Sequence, residues 1–356
     1  MIALPSRYVP ERAISGGGMS HAHLCRDSHL DRPVLVKELQ TGVEARRLND
    51  EVVALASIRS KHVVQLYDVI TDANDAIVGL VEEYLPGQDL NAILPVTDLP
   101  QVMRIAYAMA CGIADIHLAG RIHRDIKPAN MKFDAEGCLK IFDFGLARSE
   151  AHDAATQGWV GTEGYMAPEI RVMDPSAAVP FSQAVDTYAF AVCLLKVIRG
   201  AVPAGLRRVV PILDAEADFS AQSVGLGPDL SGILNQCLAP APGSRPAMAD
   251  VRNLLGAHML RDQHRAHLEA RGVQYTMDLS RRAARISFGQ LGTLGLGYDG
   301  LHFRIMSATG DVFVNNVAVS PPHILPGSCV ITVGGPEYGA QRAHIAVDVS
   351  HPEVVL

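Results

Sequence analysis

The chain has no excess of positive charge: 31 Lys and Arg against 38 Asp and Glu leave 356 residues with a formal net charge of −7. Such a balance gives no global attraction for phosphate backbones or anionic lipid, which argues against nucleic acid as a partner. Cys-x-x-Cys is also missing. The cysteines (Cys25, Cys111, Cys138, Cys193, Cys237 and Cys329) stand singly, which disfavours zinc and a disulfide framework and fits a reducing, cytoplasmic compartment. No His-Glu-x-x-His occurs. His264 and His267 sit among arginines in what reads as a solvated helix rather than a metal site. Long hydrophobic runs are absent too: Ile324 to Val333 is too short to cross a bilayer and contains Pro326 and Gly327. Met1 to Arg7 has no charged segment followed by an apolar stretch, so neither a membrane span nor a signal peptide is expected.

What is present is an ordinary globular composition, 48% apolar and 19% charged, with length for about two domains of roughly 100–200 residues each. The most informative stretch is His123-Arg124-Asp125-Ile126-Lys127-Pro128-Ala129-Asn130, followed by Asp143-Phe144-Gly145. Phosphoryl transfer leaves a protein little covalent chemistry, so catalysis is mostly positioning and charge neutralisation. It needs a carboxylate for the acceptor hydroxyl, an ammonium for the moving phosphate, and metal ligands. Asp125, Lys127, Asn130 and Asp143 supply that set.

Together these motifs resemble the catalytic core of the eukaryotic-type (Hanks-type) bacterial Ser/Thr protein kinases. The resemblance implies an α+β, bilobal kinase domain over 1–257, with a small lobe to about 85 and a large lobe from 86. It implies ATP and Mg²⁺ as cofactors and a protein substrate. Asp125 would orient the substrate hydroxyl and accept its proton, Lys127 would neutralise charge on the γ-phosphate, and Asn130 and Asp143 would hold Mg²⁺.

The same resemblance extends through the first third of the chain. Ile14-Ser15-Gly16-Gly17-Gly18-Met19-Ser20-His21-Ala22 sets Ser15, Gly17 and Ser20 against the three glycines of the nucleotide loop, and Ala22 against its valine. Alone, this stretch reads as an ordinary hairpin turn; its placement before Val34-Leu35-Val36-Lys37 reverses that in favour of the nucleotide loop. Lys37 would meet the α- and β-phosphates, paired with Glu51 on a helix expected from Glu44 to Arg59. Leu35 and Ala22 exchange the sizes of the two residues that cover adenine in the family, a swap that conserves volume. In Leu80-Val81-Glu82-Glu83-Tyr84-Leu85, the backbones of Glu83 and Leu85 would meet adenine. Glu82 would guard the back pocket, and Lys132 would lie at the adenine floor. Both positions are normally apolar. Buried charges are costly unless paired, so Glu82 and Lys132 are expected to find partners, each other being one candidate, and to narrow the pocket.

Farther along, apolar residues at Val102, Ile105, Met109, Ile113 and Ile116 predict a buried helix capped near Gly120. Ser149 to Gly161 reads as an activation segment. Thr156, or second Ser149, is a candidate for autophosphorylation with Arg124 as the phosphate's partner, although simple loop polarity explains the same composition. Gly161-Thr162-Glu163-Gly164-Tyr165-Met166-Ala167-Pro168-Glu169 closes the segment. Family likeness has Thr162 bridge Asp125 and Lys127, Glu169 pair with Arg245, and Asp186 bind the catalytic-loop backbone.

A helical pattern is expected from Met248 to about Ala270, with 258–272 as a helical linker. Beyond it, period-two runs predict a small β-domain over 273–356. Gly310 to Asn316 and Leu325 to Gly335 resemble the end of a forkhead-associated domain. The β-domain has no Gly-Arg followed by Ser-x-x-His, the residues that grip phosphothreonine in that family, so a β-sandwich for docking or self-association is expected. The competing overall expectation is a pseudokinase scaffold.

Overall fold

The computed structural model describes residues 4–14, 20–39, 52–144, 148–149, 155–156, 162–171, 179–350, 352 and 354. The chain divides into two compact units, Met1–Leu255 and Gly256–Val355.

The first unit opens with an antiparallel sheet of β1 (Tyr8–Ile14), β2 (Ser20–Asp27), β3 (Arg32–Leu39), β4 (Leu66–Thr71) and β5 (Ile77–Glu83), in the order β1-β2-β3-β5-β4. Alternation along each strand separates two faces. Cys25, Val34, Val36 and Val81 lie on one, in a buried cluster with Tyr8 and Ile70. The registers Ala22↔Lys37, Lys37↔Leu80 and Leu35↔Glu82 place Ala22, Leu35, Lys37, Leu80 and Glu82 together on the other. Of the helix expected from Glu44 to Arg59, residues 52–57 are helical; 44–51, Glu51 included, lie outside the described residues.

Helix α1 (Leu99–Leu118) starts where Asp98 accepts a hydrogen bond from the Gln101 N–H, and it buries the whole predicted stripe from Val102 to Ile116. It ends at Ala119, with Gly120 following at φ 68° and donating back to the His117 carbonyl. A short hairpin of β6 (Met131–Phe133) and β7 (Leu139–Ile141) comes next. Its turn is fixed by the Asp134 carboxylate, which accepts from the Glu136 and Cys138 N–H groups, with Gly137 at φ 82°. Helix α2 (Ala184–Arg199) is buried on nearly every side, from Val185 to Ile198, and stops at Gly200. Helices α3 (Pro228–Cys237) and α4 (Met248–Met259) complete the helical part.

Past the end of α4, the second unit is all-β among the described residues, apart from short 3₁₀ segments. Its strands are β8 (Ala266–Ala270), β9 (Val273–Met277), β10 (Ala283–Ser287), β11 (Thr293–Tyr298), β12 (Phe303–Thr309), β13 (Val312–Val314), β14 (Val317–Ala318), β15 (His323–Ile324), β16 (Cys329–Val333) and β17 (Ala343–Val349). They form a six-stranded sheet, β9-β8-β17-β16-β13-β14, and a four-stranded one, β10-β11-β12-β15. Both contribute to one apolar core that includes Leu268, Leu294, Ile305, Ile331 and Ile345.

One expectation is corrected. The helix predicted to reach Ala270 ends at Met259, and 266–270 is strand β8, so 258–272 is not a helical linker. Ala266, Leu268 and Ala270 alternate with His267 and Glu269, a period of two, and β8 is hydrogen-bonded on both sides, by β9 and β17. Sheet pairing outweighs the helix propensity of Ala, Leu and Glu there.

Between β10 and β11, Gly292 adopts φ 130°, and a Cβ added to it would overlap the Thr309 carbonyl. Gly292→Ala should therefore destabilise the second unit by at least about 2 kcal/mol. Hydrogen exchange of β11 and β12 amides in the full chain, followed against urea, reads that loss.

Candidate active site

The candidate catalytic loop, His123 to Asn130, is organised by Asp186, in the first turn of α2 and wholly buried. Its Oδ2 accepts from the His123 N–H at 2.8 Å and lies 3.0 Å from His117 Nε2, while Oδ1 accepts from the Arg124 N–H at 2.8 Å. Burial alone would push this carboxyl up; the hydrogen bond and charge of His117 more than offset it, and the group lies below its ordinary range. Arg124 is held at φ 70°, a left-handed conformation that a non-glycine residue adopts at a cost, and its guanidinium lies 3.8 Å from the centre of the Phe181 ring.

Asp125 follows with both oxygens engaged. Oδ2 accepts from Lys127 Nζ at 2.6 Å and Asn130 Nδ2 at 2.9 Å, and Oδ1 accepts from the Thr162 hydroxyl at 2.7 Å. Lys127 Nζ also lies 2.7 Å from Thr162 Oγ1, closing a three-membered network. Burial would raise the Asp125 carboxyl, but its bonds to Lys127, Thr162 and Asn130 and the lysine's charge prevail, leaving it below the ordinary carboxylate range. It is thus an ionised acceptor at neutral pH. A small pocket opens beside it, lined by Thr162, Tyr165, Met166, Ala167 and Phe181. Arg171 braces that pocket's wall: its guanidinium donates to the carbonyls of Gly164, Met166, Leu206 and Arg208. Behind it, Arg245 grips Glu169 with two parallel bonds of 2.8 and 2.7 Å.

Asn130 turns its amide nitrogen to Asp125, which leaves the amide oxygen as a hard donor. Its backbone carbonyl accepts from the Phe142 N–H at 3.0 Å, tying it to the turn that presents Asp143. The Asp143 carboxylate is exposed, at φ 68°, while Phe144 is fully buried edge-on to His123. An amide oxygen and a carboxylate fit a small hard cation such as Mg²⁺.

Lys37 occupies the face of β3 that also carries Leu35, with Ala22 beside it on β2. Its ammonium lies 2.8 Å from Glu82 Oε2, an ion pair between β3 and β5. Glu82 therefore does find a partner, but it is Lys37. The partnership with Lys132 is not formed, because Glu82 shares its sheet face with Lys37, while Lys132 belongs to strand β6, bridged to Asp89. Among the described residues Lys132, half-buried, makes no ion pair. Glu83 sends its carboxylate to Lys140 Nζ, 2.8 Å away, and accepts from the Gln65 N–H; Leu85 is buried. Ser15, Gly17 and Glu51 lie outside the described residues, as do the side chains of Ser149 and Thr156. The backbone of Ala155–Thr156 pairs with Val179–Pro180.

Three contributors were not anticipated: Glu82 as the partner of Lys37, Lys140 as the partner of Glu83, and His117 beneath the loop. His117 carried a signal, since it is a polar residue beside Ile116 at the end of an apolar stripe. The two lysine pairs depend on strand register and had none.

The protein kinase domain family matches residues 8–254. A probable serine/threonine-protein kinase pknA2 of Bifidobacterium longum is 28% identical over 297 residues, covering 77% of this chain and 38% of that protein. Serine/threonine-protein kinase PkaB of Streptomyces coelicolor is 30% identical over 264 residues, 67% of this chain and 60% of its own length. A probable serine/threonine-protein kinase PknB of Bifidobacterium longum is 34% identical over 185 residues, 46% of this chain and 26% of that protein. The chain thus spans less than two thirds of each of these relatives. With the Asp125 network, the Asp186 support and a match over most of its length, the chain belongs to the protein kinase domain family, in the serine/threonine company that its relatives' names describe.

Proposed function

We propose that the protein is a serine/threonine protein kinase that transfers the γ-phosphoryl group of Mg-ATP to a protein hydroxyl. The observation that carries this reading is the Asp125 carboxylate, ionised and held between Lys127, Asn130 and Thr162 beside a small pocket. Asp125 orients the acceptor hydroxyl and takes its proton as the oxygen attacks phosphorus. Lys127 offsets charge on the transferred group, and Thr162 keeps the aspartate and lysine in register. Asn130 and Asp143 would hold the metal, which when bound with ATP supplies charge neutralisation at the phosphates. Lys37 would meet the α- and β-phosphates, with Glu51 as its helix partner. Ser15, Gly17, Ala22 and Leu35 would enclose the nucleotide, and the backbones of Glu83 and Leu85 would meet the base.

The kinase domain on this reading is bilobal, with 1–85 and 86–257 as its lobes. The β-sandwich of the second unit is read as a forkhead-associated-like module for docking or self-association. Among the described residues no helix is long and apolar enough to cross a membrane. We place the protein in the cytoplasm on its unpaired cysteines.

Incubation with labelled ATP and Mg²⁺ tests the activity. Wild-type protein should incorporate phosphate into itself or a generic basic protein, and Asp125→Ala should lower the rate by at least about a thousandfold. Equal incorporation by both would overturn the assignment, and none by either would favour the scaffold alternative. In the same experiment, mapped by mass spectrometry, Thr156 should carry phosphate, and Thr156→Ala should reduce both phosphate content and turnover.

The lowered Asp125 carboxyl also gives a sign for acid sensitivity. A depressed folded-state pKa contributes stability above the unfolded value, about 3.9, which is lost as pH falls through the folded value. The Tm advantage of wild type over Asp125→Asn should therefore shrink steadily as pH is lowered from about 5 towards 3. Thermal scans across that range check it.

A further inference from the structure

Glu82 lies at the adenine end of a strand face where an apolar residue would be ordinary, and it is 1% exposed. On that face it stands diagonally from Lys37, across the Leu35↔Glu82 and Lys37↔Leu80 pairs, with Oε2 2.8 Å from the ammonium. Its other oxygen, Oε1, is buried with no hydrogen-bond partner among the described residues. A carboxylate so enclosed is costly unless a charge compensates it, and removing one partner of such a pair leaves the other stranded. Lys37 is less enclosed, at 16% side-chain exposure, and an ammonium carries three donors. It can hold Glu82 and still present N–H groups to phosphate oxygens.

We propose that Glu82 is a positioning residue for phosphoryl transfer: it anchors Lys37 from β5, so the lysine that meets the nucleotide phosphates is aimed by the sheet itself. The proposal rests on the kinase reading above and holds whether or not Glu51 also reaches Lys37. A neighbouring strand is a stiff mount. Its hydrogen-bonded register fixes where the Glu82 carboxylate sits, and Ala22 and Leu35 on the same face set the nucleotide's base beside it. Lys37 is then aimed independently of the placement of the following helix.

Two measurements on the full chain test it. The first needs no catalysis: a thermal-stability cycle of wild type, Lys37→Met, Glu82→Met and the double variant. Lys37→Met should lower Tm by about 4 °C or more through the stranded carboxylate, and adding Glu82→Met should restore most of it. Additive effects of the two substitutions would overturn the ion pair. The second is ADP affinity by calorimetry alongside kcat and KM for ATP. Glu82→Met should weaken ADP binding and raise KM by about tenfold and lower kcat at least as much. Glu82→Gln, which keeps an acceptor for the ammonium without its charge, should fall between. Glu82→Met with nucleotide affinity and KM within twofold of wild type, or with tighter binding and faster turnover, would overturn the positioning role. If the wild-type chain transfers no phosphate, the kinase reading fails, and the Tm cycle together with ADP affinity still decides whether Glu82 aims Lys37.

Discussion

The site depends first on one buried carboxylate. Asp186 reaches up from α2 to two successive backbone N–H groups, those of His123 and Arg124, and these bonds hold Arg124 in a left-handed conformation. A bond to a charged acceptor contributes about 1.5–3 kcal/mol, enough to offset a strained φ of order 1–3 kcal/mol. The strain has a use. It turns the chain so that the next residue, Asp125, meets Lys127, Asn130 and Thr162. His117, on α1, supplies the compensating donor for Asp186, so the loop rests on both central helices at once.

The sheet is coupled to this loop through a second set of ions. Glu83, at the end of β5, meets Lys140 of β7, whose ammonium also lies 3.7 Å from Asp134. One residue past Lys140, Ile141 accepts from the Val64 N–H and donates to the His62 carbonyl, and the strand then runs on to Asp143. The end of β5 and the turn that carries Asp143 are therefore joined by side-chain and main-chain bonds, not by proximity alone. Buried ion pairs add little net stability over apolar substitutes, so their value here lies in specifying one arrangement.

Legibility in the sequence followed the range of the interaction. Contiguous motifs were readable: the run from His123 to Asn130, the stripe of α1, and the segment from Thr162 to Glu169 each carry their meaning in local spacing. The β-content of the second unit was readable from its alternating runs. Its first strand was not. Ala266 to Ala270 is short, made of Ala, His, Leu and Glu, and follows a true helix by a few residues; it is a strand because it pairs with β9 on one side and, on the other, with β17, some eighty residues later in the chain. The Lys37–Glu82 pair was illegible for a related reason, since a side chain on one strand meets a side chain on another only once register is known.

That dependence on register is sharpest at Glu82 and Glu83. Adjacent residues in a strand project to opposite faces, so two neighbouring glutamates must find separate cations. One takes Lys37, from β3; the other takes Lys140, from a hairpin that follows α1. A slip of β5 by one residue would turn Glu82 to the opposite face and break both pairs as they stand, leaving one of the two lysines without a carboxylate. It would also move Val81 out of the cluster formed with Val34, Val36 and Ile70. Hydrophobic burial and charge pairing thus select the same register, and the pairing that strands enforce for packing is what sets the ammonium of Lys37 against the Glu82 carboxylate.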